Sequence, residues 1–530
     1  MIENELKSAA APAEESPRNQ TEVYAVYGAE PEVLAYAMAK YSRSSLSMKE
    51  SLKEISTQRA EQFLNTFYFQ YGHRSIADLA HVAFAIERLS LLAAISLVDE
   101  QRWDGQERST RYQNFRKSGW YLPDFGARTA TREDFSRAME ALFAEYHATS
   151  ERVFEFLCGQ VARPEEMKQE AYARTLRARA FDVARYLLPL ATNTSLGQIV
   201  NARTLEQQIS RLLSSPQAEV RELGERLREA AAGPAWNVQG EAGAALQREI
   251  AAADPALGLR AEPLLNREVK TAPTLVKYAA ASEYVLQTRR ALAEAAAALM
   301  RGVPIDPPAV LPDGELAAVD LLDDEPLEIE IATTLLYGAC HYPYRQIRRQ
   351  VAALDHPRRD EIVSLGARHR GRHDELLREF SSGGGLRFDI LMDIGGFRDM
   401  HRHRRCVQIL QPFTNLHGYD MPAALADAGL AGQYRAAIDS AHASFDVLVQ
   451  AGFPEQAAYA LPLGTRNRAL FKMDFAEALY ISELRSAVAG HFSYRRVAWQ
   501  MYRAVAAKHP SLAQYFRTAD VNQPIDLLQR

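Results

Sequence analysis

The feature that most constrains this chain is a stretch it carries twice. LLPLATNTSLGQIVNARTLEQQISR begins at Leu187, and ALPLGTRNRALFKMDFAEALYISELR begins at Ala460. Upstream of each copy the same kinds of segment come in the same order: an apolar strand-like run, a short amphipathic segment, a run dense in polar or charged residues, a closing turn, and an amphipathic helix. At 530 residues the chain exceeds what one hydrophobic core holds. A duplication with divergence divides it economically, since each copy is long enough for its own core. The reading is a tail over 1–20, a first repeat over 21–232, a connector over 233–312 and a second repeat over 313–530. The fold class is α+β, two copies of a mostly antiparallel sheet covered by helices.

In the first repeat, residues 29–41 and 48–67 have helical character, with Tyr71 to Ser75 as a turn. His81 to Ile86 predicts a strand and Leu89 to Val98 a helix. The helix over Thr131–Cys158 carries Phe135, Met139, Leu142, Phe143 and Tyr146 on one face, with Thr131 and Asp134 as its capped start. A further helix runs from Glu165 to Leu188, where Pro189 stops it. The next segment, from Leu187 on, is unusually polar, and a helix then continues to Ala232. The connector is rich in Gly, Ala and Pro, with one Ala-rich helix over 282–301, and reads as a surface segment. In the second repeat Leu386 to Ile394 predicts a strand, and Tyr434, Ile438, Ala441, Phe445 and Leu448 line a helix. The interval from Pro123 to Pro189 is 66 residues, that from Pro422 to Pro462 only 40, so the second copy lacks a helix there.

Composition excludes several classes. A net charge of −5 offers no global field for nucleic acid. Three distant cysteines, Cys158, Cys340 and Cys406, argue against a disulfide framework or a Cys-type zinc site and point to a reducing, cytoplasmic setting. The first residues lack the apolar core of a signal peptide, and no apolar run is long enough to span a bilayer.

Two polar runs concentrate the chemistry. Gln106, Glu107, Arg108, Ser109, Thr110, Arg111 and Tyr112 pack a carboxylate, hydroxyls and cations into one loop. Some 300 residues later, Arg402, His403, Arg404 and Arg405 stand in a row after the second strand. Blander readings exist. The basic row fits a solvated helix face or a nucleic-acid patch, and Ser109 with Arg111 fits a capped turn. His73 suits a structural turn, and Asn201 and Arg203 suit buried helix ends. His401 and His403 point apart on a helix and have no evident partner set, so no metal site is expected.

The first repeat resembles the flavin-dependent thymidylate synthases. The resemblance rests on His73 and Ser75, then Ser109-Thr110-Arg111-Tyr112, then Ala184-Arg185 with Leu188-Pro189, then Asn201-Ala202-Arg203. It implies two copies of that family's fold. Where the family has Arg-His-Arg, the first copy has Asp99, Glu100 and Gln101; the second copy restores the triplet as Arg402-His403-Arg404. The second copy in turn has Pro412 to Asn415 in place of Ser-x-Arg-Tyr, Ala458 for the arginine after alanine, and Arg485 where the family has a later substrate-contacting arginine. The losses are complementary.

The resemblance therefore implies a composite site. Gln106, Glu107, Arg108, Ser109, Thr110, Arg111 and Arg185 are expected to hold a deoxyuridylate phosphate and ring, together with Asp399 and Arg485. Ser109 and Arg485 are the expected catalytic residues. His73, Ser75, Asn201, Arg203, Arg402, His403 and Arg404 are expected to bind FAD, with methylenetetrahydrofolate and NADPH as co-substrates. The implied assembly is a homodimer forming a pseudo-tetramer, in which the second set of positions, Asp99 and Glu100 facing Pro412, is dead. Asp399 stands where the family places a glutamine, which points to a different pyrimidine or to a protonated carboxyl in a dry pocket. Beside these readings stands a non-catalytic nucleotide- or flavin-binding scaffold.

Overall fold

The computed structural model describes residues 28–40, 74–312, 314–323, 326–371, 377–380, 385–513 and 516–528. The expected helix over 48–67, His73, and residues 372–376 lie outside the described residues. Ser75 is described only as backbone, in the 3-10 turn Arg74–Leu79.

The architecture is helix-covered antiparallel sheet. In the first half, β1 (His81–Ser90) runs into α2 (Leu91–Leu97), following α1 (Pro31–Lys40), and the chain returns through β2 (Asp104–Glu107) and β3 (Asn193–Asn201). β3 lies in the centre of a sheet of order β1-β3-β2, all antiparallel. In the second half β4 (Val319–Leu321), β5 (Leu386–Asp393), β6 (Val407–Leu410) and β7 (Arg466–Met473) form a sheet of order β4-β5-β7-β6, also antiparallel.

Four strand-to-helix turns set this pattern, and each has a side chain that caps the helix. Ser90 Oγ accepts from Ala93 N at the start of α2. Asn201 Oδ1 accepts from Thr204 N at 2.8 Å, starting α5 (Ala202–Leu213). Asp393 accepts from Gly396 N, starting α13 (Ile394–Met400), and Asp474 from Glu477 N, starting α15 (Phe475–Ser486). Each cap satisfies a backbone donor that the first helical turn leaves open.

The halves meet along Leu188–Thr192 and Leu461–Thr465. Leu190 N donates to Leu461 O, and Leu463 N to Leu188 O, both at 2.9 Å. Leu92 N donates to Leu190 O at 3.1 Å, and Gly395 N to Leu463 O at 3.0 Å. Exchange of the halves carries each bond of these pairs onto the other. One apolar core runs through both, from Ala35 to Val505.

Several boundaries differ from expectation. The long helix α3 begins at Thr129 and ends at Gln160, and no side chain caps it; Thr131 is already inside. The next helix, α4 (Gln169–Ala184), starts four residues later than expected and ends in the 3-10 turn Arg185–Leu187, which turns Arg185 into the interior. The polar segment after Pro189 is the central strand β3. Its buried face mixes Thr194, Leu196, Gln198 and Val200, so apolar alternation does not reveal it; Gln198 is satisfied by Trp103 Nε1 at 2.7 Å and by Gln208. Part of the polar loop is likewise strand β2, where Gly105 is required: a Cβ there would sit 2.3 Å from Gly197 O.

The helix to Ala232 is two, α5 and α6 (Ala218–Ala232). The connector holds α7 (Gly240–Ala253), α8 (Pro255–Leu265) and α9 (Glu283–Leu299). α9 is not a surface segment, since Tyr284, Leu292 and Ala296 are buried against α10 (Leu327–Tyr337) and its neighbours α11 (Tyr344–Ala353) and α12 (His356–Leu365). α14 (Ala431–Gln450) takes the place of α3 in the second half, and α16 (Phe492–Lys508) follows α15. No helix among the described residues is long and apolar enough to cross a membrane.

Candidate active site

The loop after β2 is held by its own side chains. Arg108 lies 4.1 Å over the Phe115 ring and donates to Gln113, Asn114 O and Ser118, so it staples the loop. Ser109 Oγ accepts from Arg111 N at 3.2 Å. Gln106 is exposed on β2, paired with Gly197.

This loop meets the second half within one chain. Arg398, on α13, forms an ion pair with Glu107. Thr110 Oγ1 lies 3.5 Å from both Arg185 Nη1 and Arg398 Nη1. Arg185 is 1% exposed, and its Nη1 lies 3.3 Å from Asp399 Oδ2. Its Nε and Nη2 have no hydrogen-bond partner among the described residues. Arg185 therefore has donors to spare in a dry place, where an unmet donor is costly.

Arg111 is different. Its Nε donates to Asp182 Oδ1 at 2.7 Å, its Nη1 to Tyr494 Oη at 2.7 Å, and its Nη2 to Asp182 Oδ2 and Ala489 O. Every nitrogen of the fork is engaged, so Arg111 ties the loop to α4 and α16. Burial works against its charge, but Asp182 more than offsets that and the guanidinium stays protonated.

Asp399 is half-buried, and its desolvation raises a carboxyl, yet Arg185, Arg111, Arg485 and Arg398 outweigh this and hold it below the usual range. The surrounding cations favour the carboxylate over the protonated form of Asp399. Arg485 Nε donates to His403 Nε2 at 2.8 Å, and its guanidinium lies 5.4 Å over the Tyr494 ring. Burial first, then Arg485 and Arg404, push His403 down to about 3. A neutral ring that accepts at Nε2 carries its proton on Nδ1, which lies 3.5 Å from Glu477.

Arg404 stands apart from this cluster. It lies 4.4 Å over the Trp103 ring, its buried Nε has no partner among the described residues, and it lines a cavity of about 410 Å³ with Arg102, Trp103, Asp104 and Asn201. Two cations and one orphaned donor beside an aromatic wall fit an anionic group of a dinucleotide such as FAD. Arg402 is exposed, and Arg203 pairs with Asp78 at 3.3 Å. Asn201 is the cap of α5, and Asn201→Ala is expected to lower stability by about 1 kcal/mol, read from the urea midpoint.

The counterpart positions are closed. Asp99 pairs with Arg378 at 2.6 Å and Glu100 with Arg211 at 2.8 Å, so these acids are engaged by cations. Three residues of the cluster went unread in the sequence: Asp182, Arg398 and Tyr494. Two had a signal, since Asp182 precedes Arg185 by three positions at the end of a helix, and Arg398 precedes Arg402 by four. Among the described residues no group of three His, Cys, Asp or Glu side chains is placed to hold a metal.

A family model described as thymidylate synthase complementing protein matches residues 25–233 and 382–511, more than half of the chain. The chain is 29% identical over 532 residues to the UPF0159 protein of Chlamydia pneumoniae, covering 94% of this chain and 91% of that one. It is 26% identical over 183 residues to the flavin-dependent thymidylate synthase of Clostridium tetani, covering 34% of this chain and 68% of that one. A solved structure of flavin-dependent thymidylate synthase from Helicobacter pylori, complexed with FAD and dUMP, is 17% identical with a TM-score of 0.26, covering 38% of this chain and 89% of that chain. The two matched stretches contain both the loop of Arg111 and the helix of Arg485, and on the extent of that match the chain belongs to the thymidylate synthase complementing protein family.

Proposed function

We propose that this chain is a flavin-dependent enzyme that methylates deoxyuridylate to thymidylate, using methylenetetrahydrofolate, at one composite site between its two halves. Family membership supports thymidylate synthesis in general. The observation that carries the composite site is the gathering of Thr110 and Arg185 from one half with Arg398, Asp399 and Arg485 from the other, around an Arg185 fork with unused donors. In this reading the halves are diverged copies of one domain, and two chains pair as a homodimer that imitates a tetramer.

Arg185 and Thr110, with Ser109 at the loop's edge, receive the nucleotide's phosphate. Arg111 positions that loop through Asp182 and Tyr494. Arg485 faces the uracil edge and stabilises negative charge on its oxygens. Neutral His403 fixes the Arg485 plane by accepting from its Nε. Asp399, as a carboxylate, accepts a ring N–H and repels a ring carbonyl, which is why another pyrimidine nucleotide is the second reading. Arg404 and Asn201, beside Trp103, are the residues that would hold FAD, with Arg203 and Arg402 at the rim. When bound and reduced, FAD supplies hydride, with NADPH as the reductant.

Because the counterpart positions are closed by ion pairs, the purified protein is expected to bind one flavin per chain. Its visible spectrum checks this, and Arg404→Ala is expected to weaken flavin binding about tenfold or more. A colourless chain that takes up no added flavin would leave a binding or scaffolding role.

A further inference from the structure

A second, larger cavity has a volume of about 760 Å³ and lies between α4, α16 and the C-terminal segment 521–527. Met421, Trp499, Ile525 and Leu527 give it apolar walls. None of Arg185, Asp399, Arg404 or Arg485 lines it, and it meets that cluster at Asp182, the partner of Arg111.

Two buried donors in its lining are unmet. Arg495 is 4% exposed; its Nε donates to Ser486 O at 2.9 Å, and its Nη2 has no partner among the described residues. Gln500 is 8% exposed; its Oε1 accepts from Ala318 N at 2.8 Å, and its Nε2 has no partner among the described residues. Both side chains are on α16 and line the same cavity. A guanidinium and an amide N–H left open in a buried wall lack an acceptor.

The charge of the wall has the same sign. Four arginines line the cavity against three carboxylates. Of those carboxylates, Asp182 is held by Arg111 at 2.7 Å and Asp420 by Arg466 at 2.9 Å. The C-terminal segment closes one side, where Leu527 O accepts from Arg179 Nε at 3.2 Å. Small-molecule sites are enclosed, mostly apolar and carry a few fixed polar groups, with volumes of roughly 300–1,000 Å³.

We propose that this cavity binds a small amphipathic acid, with its carboxylate on Arg495 Nη2 and Gln500 Nε2 and its apolar body against Trp499, Met421 and the C-terminal segment. The full chain should bind decanoate saturably at one per chain, measured by titration calorimetry below the micelle concentration. Decanol, which keeps the apolar body and loses the charge, should bind about tenfold or more weakly, as loss of a charge-assisted hydrogen bond requires. Arg495→Gln should bring decanoate down to the decanol level and leave decanol unchanged. Ala504→Trp, which narrows the cavity, should remove both, while flavin uptake stays the same. No saturable decanoate binding, or equal affinity for decanoate and decanol, would overturn the proposal. That second comparison uses the unaltered chain, so it decides even if a variant fails to fold.

Discussion

Arg111→Ala is expected to destabilise the folded chain by about 3–5 kcal/mol, because it takes two charge-assisted hydrogen bonds from the buried Asp182 carboxylate. Asp182 is 3% exposed, and two of its hydrogen bonds come from Arg111. The same change frees Tyr494 Oη and Ala489 O, both in the second half, so it also loosens the contact between halves. The urea midpoint is the readout. The double variant Arg111→Leu with Asp182→Leu should cost less than Arg111→Ala alone, since it removes both charges together. A cost for Arg111→Ala under about 1 kcal/mol would show that the pair is screened like a surface bridge, and would sink the positioning role given to this residue.

Acid is expected to unfold the chain early, and His403 is one of two histidines that contribute most. Its ring is held neutral in the folded state, at about 3 against an ordinary 6.5. A base depressed on folding gives stability that is present above its unfolded value and is lost as pH falls from 6.5 toward 3. The full loss is on the order of 5 kcal/mol, with about 2 kcal/mol gone by pH 5. His417, pushed down to about 3 first by burial and then by Arg468 and His341, acts in the same direction. Asp393 opposes them. Burial, then Asp420, raises it to about 6, so its contribution improves as pH falls from 6 to its ordinary 3.8. Two depressed histidines outweigh one raised carboxyl, and stability should drop between pH 7 and pH 5. His403→Gln keeps an acceptor for Arg485 but does not titrate, so its drop should be about 2 kcal/mol smaller. Identical pH dependence in both proteins would refute the assignment to His403.

Much of the layout was legible because it rests on local rules. The strands β1 and β5 and the helices that follow them were read from short apolar runs, and Ser90, Asn201, Asp393 and Asp474 cap those helices as their side chains allow. The strand β3 escaped because half of its buried face is polar. Gln198 is tolerated there because Trp103 and Gln208 supply its hydrogen bonds, and a one-dimensional pattern does not show those groups.

By itself the sequence determined that Arg111 and Arg185 belong to one half of the chain, and that Arg404 and Arg485 belong to the other. These facts depend on residue type and spacing alone. Only the tertiary structure decided which of these cations retain free donors. Glu107 and Arg398 are 291 residues apart in the chain, and Arg111 and Asp182 are 71 apart, yet each pair is in contact. A guanidinium's task follows from the carboxylates within reach of it, and that set is fixed by how the two halves pack. Arg111 is thereby spent on holding the loop, while Arg185 keeps two nitrogens without a hydrogen-bond partner among the described residues.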